Sequence, residues 1–165
     1  MNKKSNEVVI VAAARTPIGK YKGSLKNIKA DQLGSIVIKE VLNRSKINNN
    51  KISEVILGQV LTSATGQNPA RQASINAGLP NFIPSYLVNQ VCGSGLRSVI
   101  LGFQTIKLGE AKYIISGGQE NMSIAPHALL YRNDKKLLED KLIDTMTYDG
   151  LIDAFNNYHM GVTAE

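Results

Sequence analysis

Along the first 118 residues of the chain, short apolar runs alternate with stretches whose apolar residues recur with the period of a helix. Short continuous apolar runs are typical of strands buried on both faces of a parallel sheet, and they occur at 7–14, 54–60, 85–91 and 112–116. The stretches between them predict helices over 31–44, 68–78 and 93–108. Strands that alternate with helices predict βαβ units, so the expected fold class is α/β with a mostly parallel sheet.

Individual residues indicate where these helices begin, end and face the core. The first helix carries four apolar side chains on one face, which we expect to be buried: Leu33, Ile36, Val37 and Val41. Asn68 is a good N-cap for the second helix, and Pro69 suits its first position. Gly109 ends the third helix. From 119 to 165 the alternation is lost, which predicts an excursion from the sheet domain.

Composition places the chain among ordinary soluble proteins. Hydrophobic residues make up 43% and charged residues 19% of it, and no apolar run is long enough to span a bilayer. The apolar stretch after residues 1–6 is too short for a signal peptide, so we expect a cytoplasmic protein. The single cysteine, Cys92, excludes an internal disulfide and agrees with a reducing compartment.

The net charge of +6 has two interpretations. A basic surface attracts anionic ligands such as nucleotide phosphates, whereas lysines scattered over the surface would have no such role. We favour the second interpretation, because no basic run is interleaved with the aromatic residues that nucleic-acid binding needs. Neither nucleic acid nor a membrane is an expected partner.

The candidate chemistry lies at 89–96, which reads N-Q-V-C-G-S-G-L. Cys92 follows a predicted strand and precedes a predicted helix, and the unpaired N–H groups of a helix start stabilise a thiolate and can hold an oxyanion. Gly93 and Gly95 leave room for an acyl group. An inert buried cysteine beside packing glycines is an equally good interpretation of these residues alone. Phosphate binding is weakly supported, because the glycines complete neither G-x-G-x-x-G nor a Walker motif.

Five segments in order resemble the thiolase family, and they cover the chain from about residue 7 to its end. V-C-G-S-G-L at 91–96 is similar to the acyl-cysteine signature of that family. The others are V-V-I-V-A-A-A-R-T-P-I-G at 8–19, G-Q-N-P-A-R-Q-A at 66–73, G-G-Q-E-N-M-S at 117–123 and Y-H-M-G-V-T-A-E at 158–165. In the motif at 117–123, Gln119 stands where the family has methionine.

The resemblance implies roles for particular residues. Cys92 would accept an acyl group from acyl-CoA as a thioester, with its own N–H in an oxyanion hole. His159 and Met160 would line the pantetheine channel and a shallow acyl pocket, and Leu151 would touch the pantetheine. The implied reaction is the reversible condensation of two acetyl-CoA into acetoacetyl-CoA and CoA, by a homo-oligomer without metal or redox cofactor. Without the resemblance, His159 would be interpreted as a core histidine and Met160 as a packing residue.

The resemblance also implies a domain organisation. Residues 1–118 would be the N-terminal α/β domain, a βαβαβαβ half without its fifth strand, and 119–165 the start of a loop domain. The family's activating histidine and second cysteine lie in a C-terminal half, which we expect to be absent, so the chain alone should not turn over. The stretch 131–140 departs from the family's Gly-rich tetramerisation loop. Alternative interpretations are a ketoacyl synthase relative, a non-catalytic module that pairs with full-length subunits, and a truncated product.

Overall fold

The computed structural model describes residues 7–129 and 142–165. Its helices are α1 (Ala30–Ser45), α2 (Pro69–Asn76), α3 (Ser94–Leu108), α4 (Thr145–Gly150) and α5 (Met160–Ala164). Its strands are β1 (Glu54–Gly58), β2 (Ser85–Val88), β3 (Ile114–Gly118), β4 (His127–Ala128) and β5 (Ile143–Asp144). The helices and strands predicted between residues 30 and 118 are therefore confirmed, with small shifts of their boundaries.

β1 is the central strand of a parallel sheet with the order β2-β1-β3. It pairs with β2 from Val55 opposite Ser85, and with β3 from Glu54 opposite Ile114. α1 and α2 pack on one face of the sheet, where they form a core with Val55 and Leu57, and α3 packs on the other face. The parallel α/β arrangement predicted from the apolar runs is thus observed.

Small residues of α1, more than its apolar face, determine how this helix packs against α2. The N-cap of α1 is Lys29, whose N–H donates to Gln32 Oε1 at 3.0 Å. The predicted apolar face is only partly buried, since Ile36 is exposed and Leu33, Val37 and Val41 are half-buried. A Cβ on Gly34 would lie 3.2 Å from the Ala73 Cβ, so the missing side chain lets α1 approach α2 closely at this point. The buried positions of the helix are Ala30, Asp31, Gly34, Ser35, Ile38 and Leu42.

α2 begins where the sequence predicts. Asn68 Oδ1 accepts the Arg71 N–H at 3.1 Å, and Pro69 occupies the first helical position. The Arg71 guanidinium donates to the Ile83 carbonyl at 2.5 Å and also to the Asn81 carbonyl. Arg71 therefore ties α2 to the segment that leads into β2.

The first predicted strand, 7–14, is not a strand in the structure. Residues 7–20 are neither helical nor paired with a strand, and Ile10 is 80% exposed. An apolar run becomes a strand only where a neighbouring strand supplies ladder hydrogen bonds, and the described sheet has no such partner for this segment. Arg44 Nη1 donates to the Ala13 carbonyl at 2.7 Å and holds the segment to α1 instead. The predicted βαβαβαβ half is therefore an αβαβαβ arrangement.

The residues after β3 form short elements outside the parallel sheet. β4 and β5 pair antiparallel, with His127 opposite Asp144, and α4 follows β5 directly. The stretch 131–140, which departs from the family pattern, lies outside the described residues. Within the described ranges, no helix has both the length and the apolar character of a membrane span.

Glycines bring the sheet into direct contact with α3. A Cβ on Gly58, at the end of β1, would lie 2.4 Å from the Ser94 carbonyl carbon and 2.6 Å from the Gly95 nitrogen. A Cβ on Gly118, at the end of β3, would lie 3.4 Å from the Gly95 Cα. Because these residues lack side chains, the first turn of α3 rests on the carboxyl ends of β1 and β3.

We predict that Gly58→Ala lowers the free energy of unfolding by about 1–3 kcal/mol, because the added methyl group overlaps backbone atoms that cannot rotate away. Gly95→Ala is a matched control, since its Cβ would lie 3.9 Å from the Gly118 backbone and alanine favours a helix over glycine. Urea denaturation measures both variants. Equal stability of the two would contradict the packing argument.

Candidate active site

The chain turns sharply between the end of β2 and the start of α3. Two backbone hydrogen bonds close the turn, from the Gly93 N–H to the Gln90 carbonyl at 3.0 Å and from the Ser94 N–H to the Val91 carbonyl at 3.1 Å. Cys92 lies within this turn and is exposed to solvent. Cys92 is therefore not the buried cysteine that the local sequence also allowed.

Val91, directly before the cysteine, has an unusual backbone conformation. Its φ is 49°, in the left-handed region, where a β-branched residue carries strain of about 1–3 kcal/mol. Asn89 helps to hold this conformation, because its Oδ1 accepts the Val91 N–H at 2.9 Å. Backbone strain of this kind is concentrated at functional sites, and here it directs the chain around Cys92.

Ser94 connects the two sides of the turn through its side chain. Its Oγ accepts the Gln90 N–H at 2.8 Å and donates to the Val91 carbonyl at 2.6 Å. Ser94 is only 3% exposed, so water does not compete for these hydrogen bonds. The sequence motif contains Ser94, but its pattern does not predict this role.

Cys92 lines a cavity of about 1130 Å³ at the carboxyl edge of the parallel sheet. It is lined by Gly58 and Gly118 and by residues of α1, of the first turns of α3 and of the loop 14–26. Parallel α/β sheets bind ligands at this edge.

The three residues predicted to contact acyl-CoA lie beside one another. The Met160 N–H donates to the Leu151 carbonyl at 2.9 Å. Leu151 lines the same cavity as Cys92, whereas His159 and Met160 are not among its lining residues. His159 Nδ1 accepts the Gly161 N–H at 3.0 Å and so caps α5. His159 is exposed, so the alternative interpretation as a core histidine is wrong.

Two buried glutamines lie next to the cavity. Gln119 Nε2 donates to Gln59 Oε1 at 2.8 Å, and Gln59 Nε2 donates to the Leu61 carbonyl at 2.8 Å. Gln119 is the residue that departs from the family pattern. As an amide it links the ends of β1 and β3 by a hydrogen bond, which a methionine in its place would not form.

Asn121 attaches the loop before α1 to the wall of the cavity. Its Nδ2 lies 3.1 Å, 3.2 Å and 2.7 Å from the carbonyl oxygens of Leu25, Lys26 and Ile28. Leu25 and Lys26 line the cavity. The motif at 117–123 therefore shapes one wall of the site, although its sequence alone indicates no chemistry.

Glu120 fixes the backbone that follows β1. Its Oε2 accepts the N–H groups of Val60 at 2.8 Å and Leu61 at 3.2 Å. Burial raises the pKa of Glu120 above the ordinary value of 4.5, and hydrogen bonds from the Val60, Leu61 and Asn121 backbone oppose the rise. The folded state therefore binds the proton of the Glu120 carboxyl more tightly than the unfolded state does. The contribution of this proton to folding stability is fully present below pH 4.5 and is lost as the pH rises through the folded pKa.

We predict that the stability of Glu120→Gln relative to the unchanged chain rises as the pH increases from about 4 to 7, because glutamine carries no charge to bury. Glu40→Gln is a control of opposite sign, since the hydrogen bond and charge of Arg44 lower the pKa of Glu40. The unchanged chain should be more stable than Glu40→Gln above pH 4.5, and this difference in stability should disappear as the pH falls below that value. Urea denaturation from about pH 3 to 7 measures both variants. A pH-independent difference for Glu120→Gln would contradict the assignment.

Comparison with known proteins identifies the family. The family model described as thiolase, N-terminal domain, matches residues 8–165. The acetyl-CoA acetyltransferase of Paracoccus denitrificans is 55% identical over 159 residues, which are 96% of this chain and 41% of the relative. The relative from Cupriavidus necator, with the same name, is 54% identical over 160 residues, again 96% and 41%. The cytosolic acetyl-CoA acetyltransferase of Rattus norvegicus is 50% identical over 165 residues, 100% of this chain and 42% of the relative.

The chain spans about two fifths of the length of these curated relatives. The matched region contains the turn that holds Cys92, the cavity beside it and the motif at 117–123. The three-stranded parallel sheet with helices on both faces agrees with the α/β fold expected from the sequence. The chain therefore belongs to the thiolase family, and residues 8–165 correspond to the N-terminal domain of that family.

Proposed function

We propose that this chain carries the acyl-accepting cysteine of a thiolase-type acetyl-CoA acetyltransferase. The observation that supports the proposal is the exposed thiol of Cys92, which a strained turn places beside a large cavity within the region matched by the family model. The names of the relatives from Paracoccus denitrificans and Rattus norvegicus define the reaction class.

In the first step, the Cys92 thiolate attacks the carbonyl carbon of acetyl-CoA. A bond from Cys92 sulfur to this carbon forms and the bond to the CoA sulfur breaks, so CoA leaves as a thiolate and the acetyl group stays as a thioester. The charge that develops on the carbonyl oxygen is stabilised by N–H donors. Since the N–H groups of Gly93 and Ser94 are used within the turn, we assign this role to the N–H of Cys92.

In the second step, another acetyl-CoA loses a proton from its α-carbon, and this carbon attacks the acetyl thioester. A carbon–carbon bond forms, the bond to Cys92 sulfur breaks, and acetoacetyl-CoA and the Cys92 thiolate result. The reverse direction cleaves acetoacetyl-CoA with CoA. Cys92 is the only cysteine of the chain and His159 caps α5, so we assign the α-proton to no described residue.

Leu151 is the proposed contact for the pantetheine arm, because it lines the cavity that contains Cys92. His159 and Met160 extend this contact, since Met160 is hydrogen-bonded to the Leu151 backbone. Coenzyme A is the acyl carrier, and neither thioester exchange nor carbon–carbon bond formation requires electron transfer. The likeness to the cytosolic acetyl-CoA acetyltransferase of Rattus norvegicus supports a cytosolic location.

We predict that incubation with acetyl-CoA adds one acetyl group to the chain and releases an equal amount of CoA, because thioester exchange at the Cys92 thiolate, unlike the condensation step, removes no proton from an α-carbon. Intact-mass spectrometry measures the adduct, and a thiol reagent measures the released CoA. Acetoacetyl-CoA should not accumulate, because the α-proton has no assigned acceptor.

Cys92→Ala is the control for this experiment, and it should abolish both the adduct and CoA release. Equal acetylation of this variant would place the acyl group elsewhere. An unchanged chain that takes up no acetyl group would favour the alternative of a non-catalytic subunit.

We further propose that the chain forms a homo-oligomer through β2. β2 is an edge of the described sheet, and exposed apolar side chains flank it, with Phe82 67% and Val91 50% exposed. Unpaired strand edges next to apolar surface favour association with another chain.

We predict that the chain sediments as a dimer or larger species at micromolar concentration and that Phe82→Lys shifts it toward monomer, because a charge beside an edge strand opposes pairing. Ile36→Lys is the matched control, since Ile36 is 50% exposed on α1, which is not an edge of the sheet. A monomeric unchanged chain, or equal effects of the two lysines, would contradict this interface.

A further inference from the structure

We infer that Ser94 is a positioning residue for Cys92, and that it acts by holding Val91 in its left-handed conformation. The inference depends on the proposed function only in treating Cys92 as the reactive group. Ser94 does not need to touch substrate, because its contacts lie within the turn itself.

The geometry of the hydroxyl group carries the inference. Ser94 Oγ bonds the N–H of Gln90 and the carbonyl of Val91, which precede Cys92 by two residues and by one. Both backbone groups are therefore bonded to the same atom, the Oγ of Ser94, which is the first residue of α3. That atom is fixed in turn, because Ser94 is buried and rests on the Cα of Gly58.

The strain at Val91 explains why such a restraint is needed. A φ of 49° is unfavourable for a β-branched residue, so the turn would relax without bonds that oppose it. The Asn89 side chain holds the Val91 N–H, and Ser94 holds the Val91 carbonyl through both its N–H and its Oγ. The peptide groups on both sides of the Val91 Cα are thereby fixed, which sets the direction in which the next residue, Cys92, leaves the turn. Ser94→Ala keeps the N–H bond and loses the two bonds of the hydroxyl, to the Val91 carbonyl and from the Gln90 N–H.

A second buried serine on the same helix provides a matched control. Ser98 is 0% exposed, and its Oγ lies 2.6 Å from the Gly95 carbonyl oxygen and 2.7 Å from that of Gly117. Ser94→Ala and Ser98→Ala thus remove the same group from the same helix, but only the first change affects the turn around Cys92. Thermal unfolding followed by circular dichroism compares the general loss of stability in the two variants.

The first measurement is the rate of alkylation of Cys92 by iodoacetamide in the 165-residue chain. Cys92 is the only cysteine, so intact mass reports this site alone. We expect Ser94→Ala to slow alkylation by at least about threefold, because the relaxed turn no longer holds the thiol in its exposed position. Ser98→Ala should stay close to the unchanged chain. Equal rates for the two variants would overturn the inference.

The second measurement separates positioning from a general structural role. Glycine adopts positive φ without strain, so Val91→Gly removes the reason for the restraint. We expect Ser94→Ala to slow alkylation strongly when residue 91 is valine and by less than about twofold when it is glycine, as a double-mutant cycle would show. The same factor in both backgrounds would show that Ser94 does not act through Val91.

Acetylation by acetyl-CoA tests the link to the proposed function. We expect Ser94→Ala to lower the maximal acetylation rate by roughly 10- to 100-fold with little change in the acetyl-CoA concentration for half-maximal rate, because a misplaced nucleophile costs rate rather than binding. If the unchanged chain is not acetylated, the proposed function fails. The alkylation rates still decide the role of Ser94, so the two failures are distinguishable.

Discussion

The contact between Gly58 and the first turn of α3 is the constraint on which the site depends. A backbone atom of β1 and the backbone of Ser94 and Gly95 meet at a distance that leaves no room for a Cβ. Parallel strands present their carboxyl ends at one edge, and this contact fixes the start of α3 there. The location of Cys92 therefore follows from a contact between two segments that are 36 residues apart in sequence, Gly58 and Ser94.

The same contact allows the turn before α3 to be strained. A left-handed valine persists only where its surroundings hold it, and the surroundings here are the side chains of Asn89 and Ser94. Ser94 can hold the turn because it is packed against Gly58 and cannot move. The buried contact between Gly58 and Ser94 thus orients the exposed thiol of Cys92.

Local signals predicted most of the fold, and contacts between distant segments account for the rest. Asn68 and Pro69 start α2 because capping acts within a few residues. The buried face of α1 was only partly predicted because Gly34, which allows close approach to Ala73, counts as a weak position in an apolar pattern. The strand predicted at 7–14 was wrong because pairing depends on a neighbour that no local pattern contains.

The candidate site divides in the same way. Cys92 was predicted from its place before a helix start and from the family motif, both of which are local. Leu151 was predicted by resemblance and lies on the same cavity, whereas the part played by Gly58 and Ser94 was missed. A glycine and a serine are ordinary residues in a sequence, and they gain their roles only when the fold brings position 58 against position 94.

Under the proposed function, the groups that place Cys92 are different from those that transfer a proton. The helix start, the strained turn, the cavity and the wall at 117–123 all belong to the N-terminal domain matched by the family model. None of the hydrogen bonds that hold the turn involves a titratable side chain, since Asn89 and Ser94 are neutral. The orientation of Cys92 is therefore insensitive to the protonation changes that acid–base catalysis requires. Under the proposed function, the Cys92 nucleophile is held by neutral groups and keeps its position while a proton moves elsewhere in the site.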